Sequence, residues 1–284
     1  MTPAQRTRTW FITGATSGLG RALALAALEA GGTVLGGSRR PERFAALVTA
    51  HPGRAFATYL DVTDTAAAPA AISGALARLG RVDVLVNAAG RGLIGAAEES
   101  GDAETHALMD LHFHGPAALT RAALPHLRAQ GSGWIVQIRS MGGRASFAGV
   151  GAYAATTFAL EGWSEALAQE VGDFGVRVPL VEPGAFRTGF AAEGTLAGSA
   201  PLAPYEGIIG PVWRANAASD GTRPGDPAKA AAAVRTALAA AAPPLRLPLG
   251  ADAHDLLAAR AEAEARERER WQGVGRGTGV TRGE

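Results

Sequence analysis

The sequence predicts an α/β protein: a single domain built on a doubly wound parallel sheet of seven strands, flanked by helices. Three observations lead there. Short apolar runs alternate with longer amphipathic ones, and a glycine-rich turn joins the first apolar run to the first amphipathic one. The 284 residues, 47% of them hydrophobic, supply the core of one large domain.

Strands are expected at 9–13, 33–37, 55–60, 82–87, 134–138, 176–181 and 245–247. A helix over 19–30 places Leu23, Ala26, Ala27 and Ala30 on one face and stops at Gly31-Gly32; a second, over 152–171, carries Tyr153 near its start. Residues 184–227 are rich in Gly, Pro and Ala, with Phe186, Phe190, Leu196, Leu202, Ile208, Ile209 and Trp213 interspersed, which reads as a substrate lid. A charged helix is expected over 252–271. The resulting division is a main domain over 1–250 with its lid at 185–226, a helical extension over 251–272, and a disordered tail over 273–284.

Formal net charge is +1, with no basic block in the body of the chain, so neither nucleic acid nor an anionic membrane is an expected partner. A small molecule is. The absence of cysteine excludes disulfides, thiolate catalysis and cysteine-ligated zinc, and agrees with a cytoplasmic setting. The six histidines give no support for a metal site, and residues 1–9 lack the apolar stretch of a secretory signal.

Thr13-Gly14-Ala15-Thr16-Ser17-Gly18-Leu19-Gly20 lies between the first strand and the first helix, where backbone N–H groups and a helix N-terminus converge on a pyrophosphate. With Asn87-Ala88-Ala89-Gly90 after the fourth strand, Tyr153, and Pro183-Gly184 after the sixth, this loop resembles the short-chain dehydrogenase/reductase (SDR) family over nearly the whole chain. The resemblance implies a Rossmann fold. It also implies a nicotinamide cofactor held by Gly14, Thr16, Ser17, Gly18, Leu19 and Gly20, by Asp61 and Val62 at the adenine, and by Asn87, Ala88 and Gly90 on the adenosine side. Tyr153, Pro183 and Gly184 complete the set, with Thr188 at the nicotinamide carboxamide; the other reading of Thr188 is a helix N-cap. After the second strand come Ser38, Arg39 and Arg40 with no carboxylate. A guanidinium fork suits a 2′-phosphate, so NADP(H) is preferred over NAD(H), unless Arg39 and Arg40 merely open a surface helix with Pro41-Glu42.

Reduction of a carbonyl builds negative charge on oxygen, and Ser140 and Tyr153 are the donors that could meet it. Their separation of thirteen residues matches the family pattern. The family's lysine, four residues after the tyrosine, is Thr157 here, and the only lysine in the chain is Lys229. Tyrosine titrates near pH ~10 and an adjacent cation lowers an acid by about 1–3. Without one Tyr153 is expected to stay a phenol, able to donate a proton but poorly equipped to remove one. In Asp110-Leu111-His112-Phe113-His114-Gly115 the family's asparagine is His112, either a titratable relay group or a packed helix histidine. Arg139 is expected to face away from Ser140.

Three functions follow. The first is an NADP(H)-dependent reductase of a carbonyl in an apolar small molecule, using Tyr153, Ser140 and His112. The second is a non-redox acid/base enzyme such as an isomerase, cyclase or dehydratase; the third is a non-catalytic cofactor-binding protein. The stripe Phe158, Leu160, Trp163, Leu167, Val171 marks either a core face or, as the resemblance implies, the interface of a homodimer or homotetramer.

Overall fold

The computed structural model describes residues 7–192 and 194–279. Along the chain run β1 (Thr9–Thr13), α1 (Gly18–Glu29), β2 (Thr33–Ser38), α2 (Ala45–Ala50), β3 (Ala55–Tyr59), α3 (Ala68–Leu79), β4 (Val84–Asn87), β5 (Gly92–Ile94), α4 (Asp102–Met109) and α5 (Gly115–Gln130). They are followed by β6 (Gly133–Ile138), α6 (Gly151–Val171), β7 (Val176–Arg177), β8 (Leu180–Pro183), β9 (Leu196–Gly198), α7 (Glu206–Ala218), α8 (Pro227–Ala239), β10 (Arg246–Leu249) and α9 (Ala251–Arg276).

The main sheet has the order β10-β8-β6-β4-β1-β2-β3, with β7 beside β6, and all its pairings are parallel. Strand order reverses at β1, between β4 and β2, which opens a crevice at the carboxyl ends of these strands. Burial on both faces follows from the alternation of side chains along each strand. Trp10 and Ile12 of β1, Val84 and Val86 of β4 and Val136 of β6 join a core with α1 and α8. Phe11, Leu85 and Ile135 point the other way, to a core with α3, α5 and α6. Leu160, Leu167 and Val171 of α6 are buried in the chain's own interior, whereas Phe158 is exposed.

The structure revises three expectations. The strand at 176–181 is broken into β7 and β8, because Pro179 has no N–H to continue the ladder. The lid contains β9 and α7, and β9 pairs in parallel with β5 as a separate two-stranded sheet that ties the lid to the body. The last helix extends to Arg276, so the tail expected from Gly273 begins inside it; residues 280–284 lie outside the described residues. Between α4 and α5, Asp110–His114 forms one π-helical turn, which carries His112. No helix among the described residues is long and apolar enough to cross a membrane.

Candidate active site

The loop from Thr13 to Gly20 leaves β1 and turns into α1 with Gly14 and Gly18 at positive φ. A side chain at Gly14 would place its Cβ 2.8 Å from the Ala88 oxygen, and one at Gly20 only 2.5 Å from the Gly14 oxygen. Gly14 therefore lets the β1 and β4 turns close on one another, and Gly20 lets α1 start tight against the β1 turn. Thr13 Oγ1 joins them, accepting from the Ala88 and Ala89 amides at 3.0 and 3.3 Å. Ser17, at the N-cap of α1, makes no side-chain cap and no acidic residue occupies the first turn, so the first amides of α1 are left for an anion. Thr188 lies across the loop, 3.5 Å from where a Gly18 Cβ would stand. No helix starts at Thr188, which removes the N-cap reading.

Thr16 Oγ1 and Ser38 Oγ lie 3.1 Å apart at the end of β2, and Ser38 Oγ also accepts from the Arg40 amide. Arg39 and Arg40 are exposed there, and Arg40 precedes a 3-10 turn at Pro41–Phe44. Burial raises the pKa of Asp61, but two hydrogen bonds from Thr63 and the charge of Arg39 outweigh it and hold the carboxyl below its ordinary value. Arg39 and Asp61 thus border one region. Buried Val62 brings its carbonyl against Gly115, where a Cβ would stand 2.3 Å from that oxygen. Gly184, after Pro183 at the end of β8, has no room for a Cβ beside the Asp252 carboxylate, which accepts the Ala185 amide at 2.6 Å.

Asn87 departs from its expected place at the cofactor. Its side chain is buried, donating from Nδ2 to Gln137 Oε1 at 3.0 Å and to Thr120 at 3.4 Å, so its amide braces β4, β6 and α5.

Ser140 leaves β6 and caps a short 3-10 turn, its Oγ accepting the Gly142 amide at 3.0 Å. Tyr153, in the first turn of α6, is partly buried beside it. Burial raises the phenol above its ordinary pKa of 10.0, against the opposing pull of a hydrogen bond with Ser140 and the charges of Arg139 and Arg223. Burial thus favours the protonated phenol of Tyr153 at neutral pH.

The expected relay role of His112 is not supported by its surroundings. Its Nε2 accepts the Arg91 amide at 3.2 Å, which puts the ring proton on Nδ1, 2.9 Å from Thr156 Oγ1. Thr156 in turn donates to the Tyr153 carbonyl at 2.8 Å. Burial, and then the charge of Arg91, lowers the His112 pKa to about 4. The imidazole is neutral, both nitrogens are engaged, and its ring meets the Tyr153 ring edge-on with centroids 5.4 Å apart. Of the two readings of His112, the packed one fits. Thr157 is buried as well, its hydroxyl turned back on the Ala154 carbonyl at 2.9 Å.

Arg139 is enclosed beneath α6, as expected of a residue turned from the open site, yet it is not remote from the chemistry. Its Nη1 donates to the Thr157 carbonyl at 3.1 Å, while Nη2 pairs with Glu182 at 2.7 Å and with Glu161. Arg246 bridges Glu161 and Glu165. Sequence reasoning named the lid but not which of its residues meets Tyr153. The Phe190 ring lies 6.1 Å from Tyr153, and Ile94, Ala96, Leu196 and Ile209 form an apolar cluster with Tyr205 and Val212. Thr13 stood in the quoted loop without a role assigned to it, and Thr156 and Arg223 carried no signal that could have marked them.

Comparison with known proteins agrees with this geometry. Residues 8–196 match the family model described as short chain dehydrogenase. The chain is 37% identical to Oxidoreductase BOA17 of Botryotinia fuckeliana over 248 residues, 87% of this chain and 90% of that protein. A short-chain dehydrogenase from Streptomyces avermitilis superposes with a TM-score of 0.91 at 49% identity, covering 97% of this chain and 99% of that one. A metagenomic short-chain oxidoreductase solved with NADP is 34% identical with a TM-score of 0.60, covering 65% and 85% of the two chains. With its parallel sheet, its glycine loop and its Ser140 and Tyr153 in place, the chain belongs to the short-chain dehydrogenase/reductase family and is an oxidoreductase.

Proposed function

We propose that the protein is an NADP(H)-dependent reductase of a carbonyl in an apolar small molecule. The observation that carries this reading is Tyr153: a partly buried phenol with a raised pKa, beside Ser140 and against the apolar lid residue Phe190. The glycine cradle and the uncapped start of α1 fit the cofactor's pyrophosphate. Arg39 and Arg40, with no carboxylate among their immediate neighbours in sequence before Glu42, favour a 2′-phosphate. The NADP complex of the metagenomic relative points the same way.

When bound, the cofactor supplies the hydride. The chain's own groups manage the oxygen: Ser140 and Tyr153 donate hydrogen bonds to the carbonyl, and Tyr153 passes its proton to the oxygen as charge develops there. Burial disfavours the phenolate left behind, so the phenol is regained by proton uptake from water. Without a lysine at Thr157, nothing at that position stabilises the phenolate that alcohol oxidation needs. The site is therefore biased toward reduction. His112 and Thr156 act as positioning residues by holding the Tyr153 backbone and ring.

We further propose a homodimer or homotetramer, with exposed Phe158 on α6 at the contact, to be checked by size measurement across a concentration series. The activity is tested by following NADPH oxidation over a panel of ketones and quinones. A fall in turnover of about 10²- to 10⁴-fold in Tyr153→Phe is expected; tight NADPH binding without oxidation of any carbonyl would overturn the reading.

A further inference from the structure

The lid brings to this site a cation, Arg223, that pairs with no carboxylate among the described residues. Arg223 follows α7 and is partly buried. Its Nε donates to Ser219 Oγ at 3.0 Å and its Nη2 to Asn216 Oδ1 at 3.1 Å, both neutral acceptors. Its Cζ lies 6.0 Å from the centroid of the Phe190 ring, the same ring that packs 6.1 Å from Tyr153. Beneath α6 the chain treats its arginines differently: Arg139 faces Glu161 and Glu182, and Arg246 faces Glu161 and Glu165. Among the described residues Arg223 has no such partner. The nearest acids along the chain are Asp220, which is exposed, and Asp226, which is turned to the Ala228 and Lys229 amides at the start of α8.

We propose that Arg223 seats an anionic group of the substrate, a carboxylate at one end of a molecule whose apolar body carries the carbonyl. The proposal rests on the reductase reading above and names its substrate class. A guanidinium has five N–H donors, and the two bonds from Nε and Nη2 leave the Nη1 pair and the second Nη2 hydrogen available. That free Nη1/Nη2 end can take a carboxylate in bidentate fashion. Its two neutral acceptors and the Phe190 face fix the fork's direction in advance, so little ordering remains when the anion arrives. The charge is felt at the reacting end, since Arg223 acts on the Tyr153 phenol. The partly buried Phe190 ring, set between Arg223 and Tyr153, offers the apolar contact for the body of such a molecule.

The test is calorimetric binding of octanoate and of octan-1-ol to the full-length, NADPH-saturated protein as wild type, Arg223→Gln and Arg223→Lys. Octanoate is expected to bind at least about tenfold more weakly to Arg223→Gln and to recover in part in Arg223→Lys, with octanol unchanged. Equal octanoate binding by wild type and Arg223→Gln overturns the proposal. So does an equal loss for octanoate and octanol, which would mean that Arg223 only pins the lid. A weakened NADPH affinity in Arg223→Gln with octanoate unaffected also overturns it, by assigning the charge to the cofactor's phosphates. Titration with 7-oxooctanoate separates the two readings. Arg223-dependent binding without NADPH oxidation leaves the anion seat standing and removes the reductase; reduction of 7-oxooctanoate and its methyl ester alike by wild type and Arg223→Gln does the reverse.

Discussion

Arg139 Nη1 donates to the backbone oxygen of Thr157 at 3.1 Å, which seats an enclosed guanidinium under the residue four places after Tyr153. The chain has not left α6 without a cation. It has put one below the helix, paired with Glu161 and Glu182, where it can hold the helix but cannot reach a substrate.

Removing that cation should destabilise the fold. Arg139→Met leaves Glu161 and Glu182 without their partner in a buried setting, at a cost of about 3–5 kcal/mol, read as a fall in the urea midpoint at pH 7. Burial already raises the Glu182 pKa against the pull of Arg139, and losing Arg139 raises it further. A carboxyl whose pKa is higher folded than unfolded favours folding at low pH and loses that contribution as pH rises. Part of the stability lost in Arg139→Met should therefore return as pH falls toward 5, and a midpoint deficit that grows with acidification would contradict this.

His112 makes stability pH-dependent in the opposite sense. Its pKa falls from 6.5 to about 4 on folding, so below 6.5 the unfolded chain takes up a proton that the folded one refuses. The contribution is complete above 6.5 and is lost between 6.5 and about 4, to a limit of roughly 3 kcal/mol. His112→Asn should lack this part of the slope in urea titrations across the range. An imidazole that titrates near 6.5 by NMR would refute the packed, neutral assignment.

Tyr153→Phe should lower the rate of reduction by about 10²- to 10⁴-fold, and Ser140→Ala by about 10²-fold or more, each with NADPH affinity within a factor of about three of wild type. The reverse reaction should rise with pH throughout the neutral range, because it needs the Tyr153 phenolate. Steady-state rates in both directions, on one ketone and its alcohol, check the asymmetry.

At the other end of the groove, Arg39→Ser/Arg40→Ser should weaken NADPH binding by about 10- to 100-fold through loss of charge-assisted hydrogen bonds, while NADH changes little. Fluorescence titration with both cofactors decides. Equal losses would remove the 2′-phosphate assignment.

The sheet was largely legible because both faces are buried: Trp10, Phe11 and Ile12 are continuous apolar sequence that alternation sends to opposite cores. The β5–β9 pair was not, since Gly92–Ile94 and Leu196–Gly198 are too short to carry a period and meet only in the fold. The glycine loop, Ser140 and Tyr153 could be located from local pattern. The surroundings that decide their chemistry could not: His112 finds Thr156 44 residues away, and Arg139 finds Glu182 43 residues away. Alternation placed Arg139 away from the open site, but could not say that α6 would supply Glu161 and the Thr157 carbonyl to receive it.

The central claim is that Tyr153 remains a phenol and serves as a proton donor. Its most direct test is the ultraviolet difference titration of wild type against Tyr153→Phe, following phenolate absorbance from pH 7 upward. With burial outweighing Ser140, Arg139 and Arg223, the Tyr153 signal should appear only above pH 10.0. A phenolate that forms at or below neutral pH would contradict the account and make Tyr153 a base.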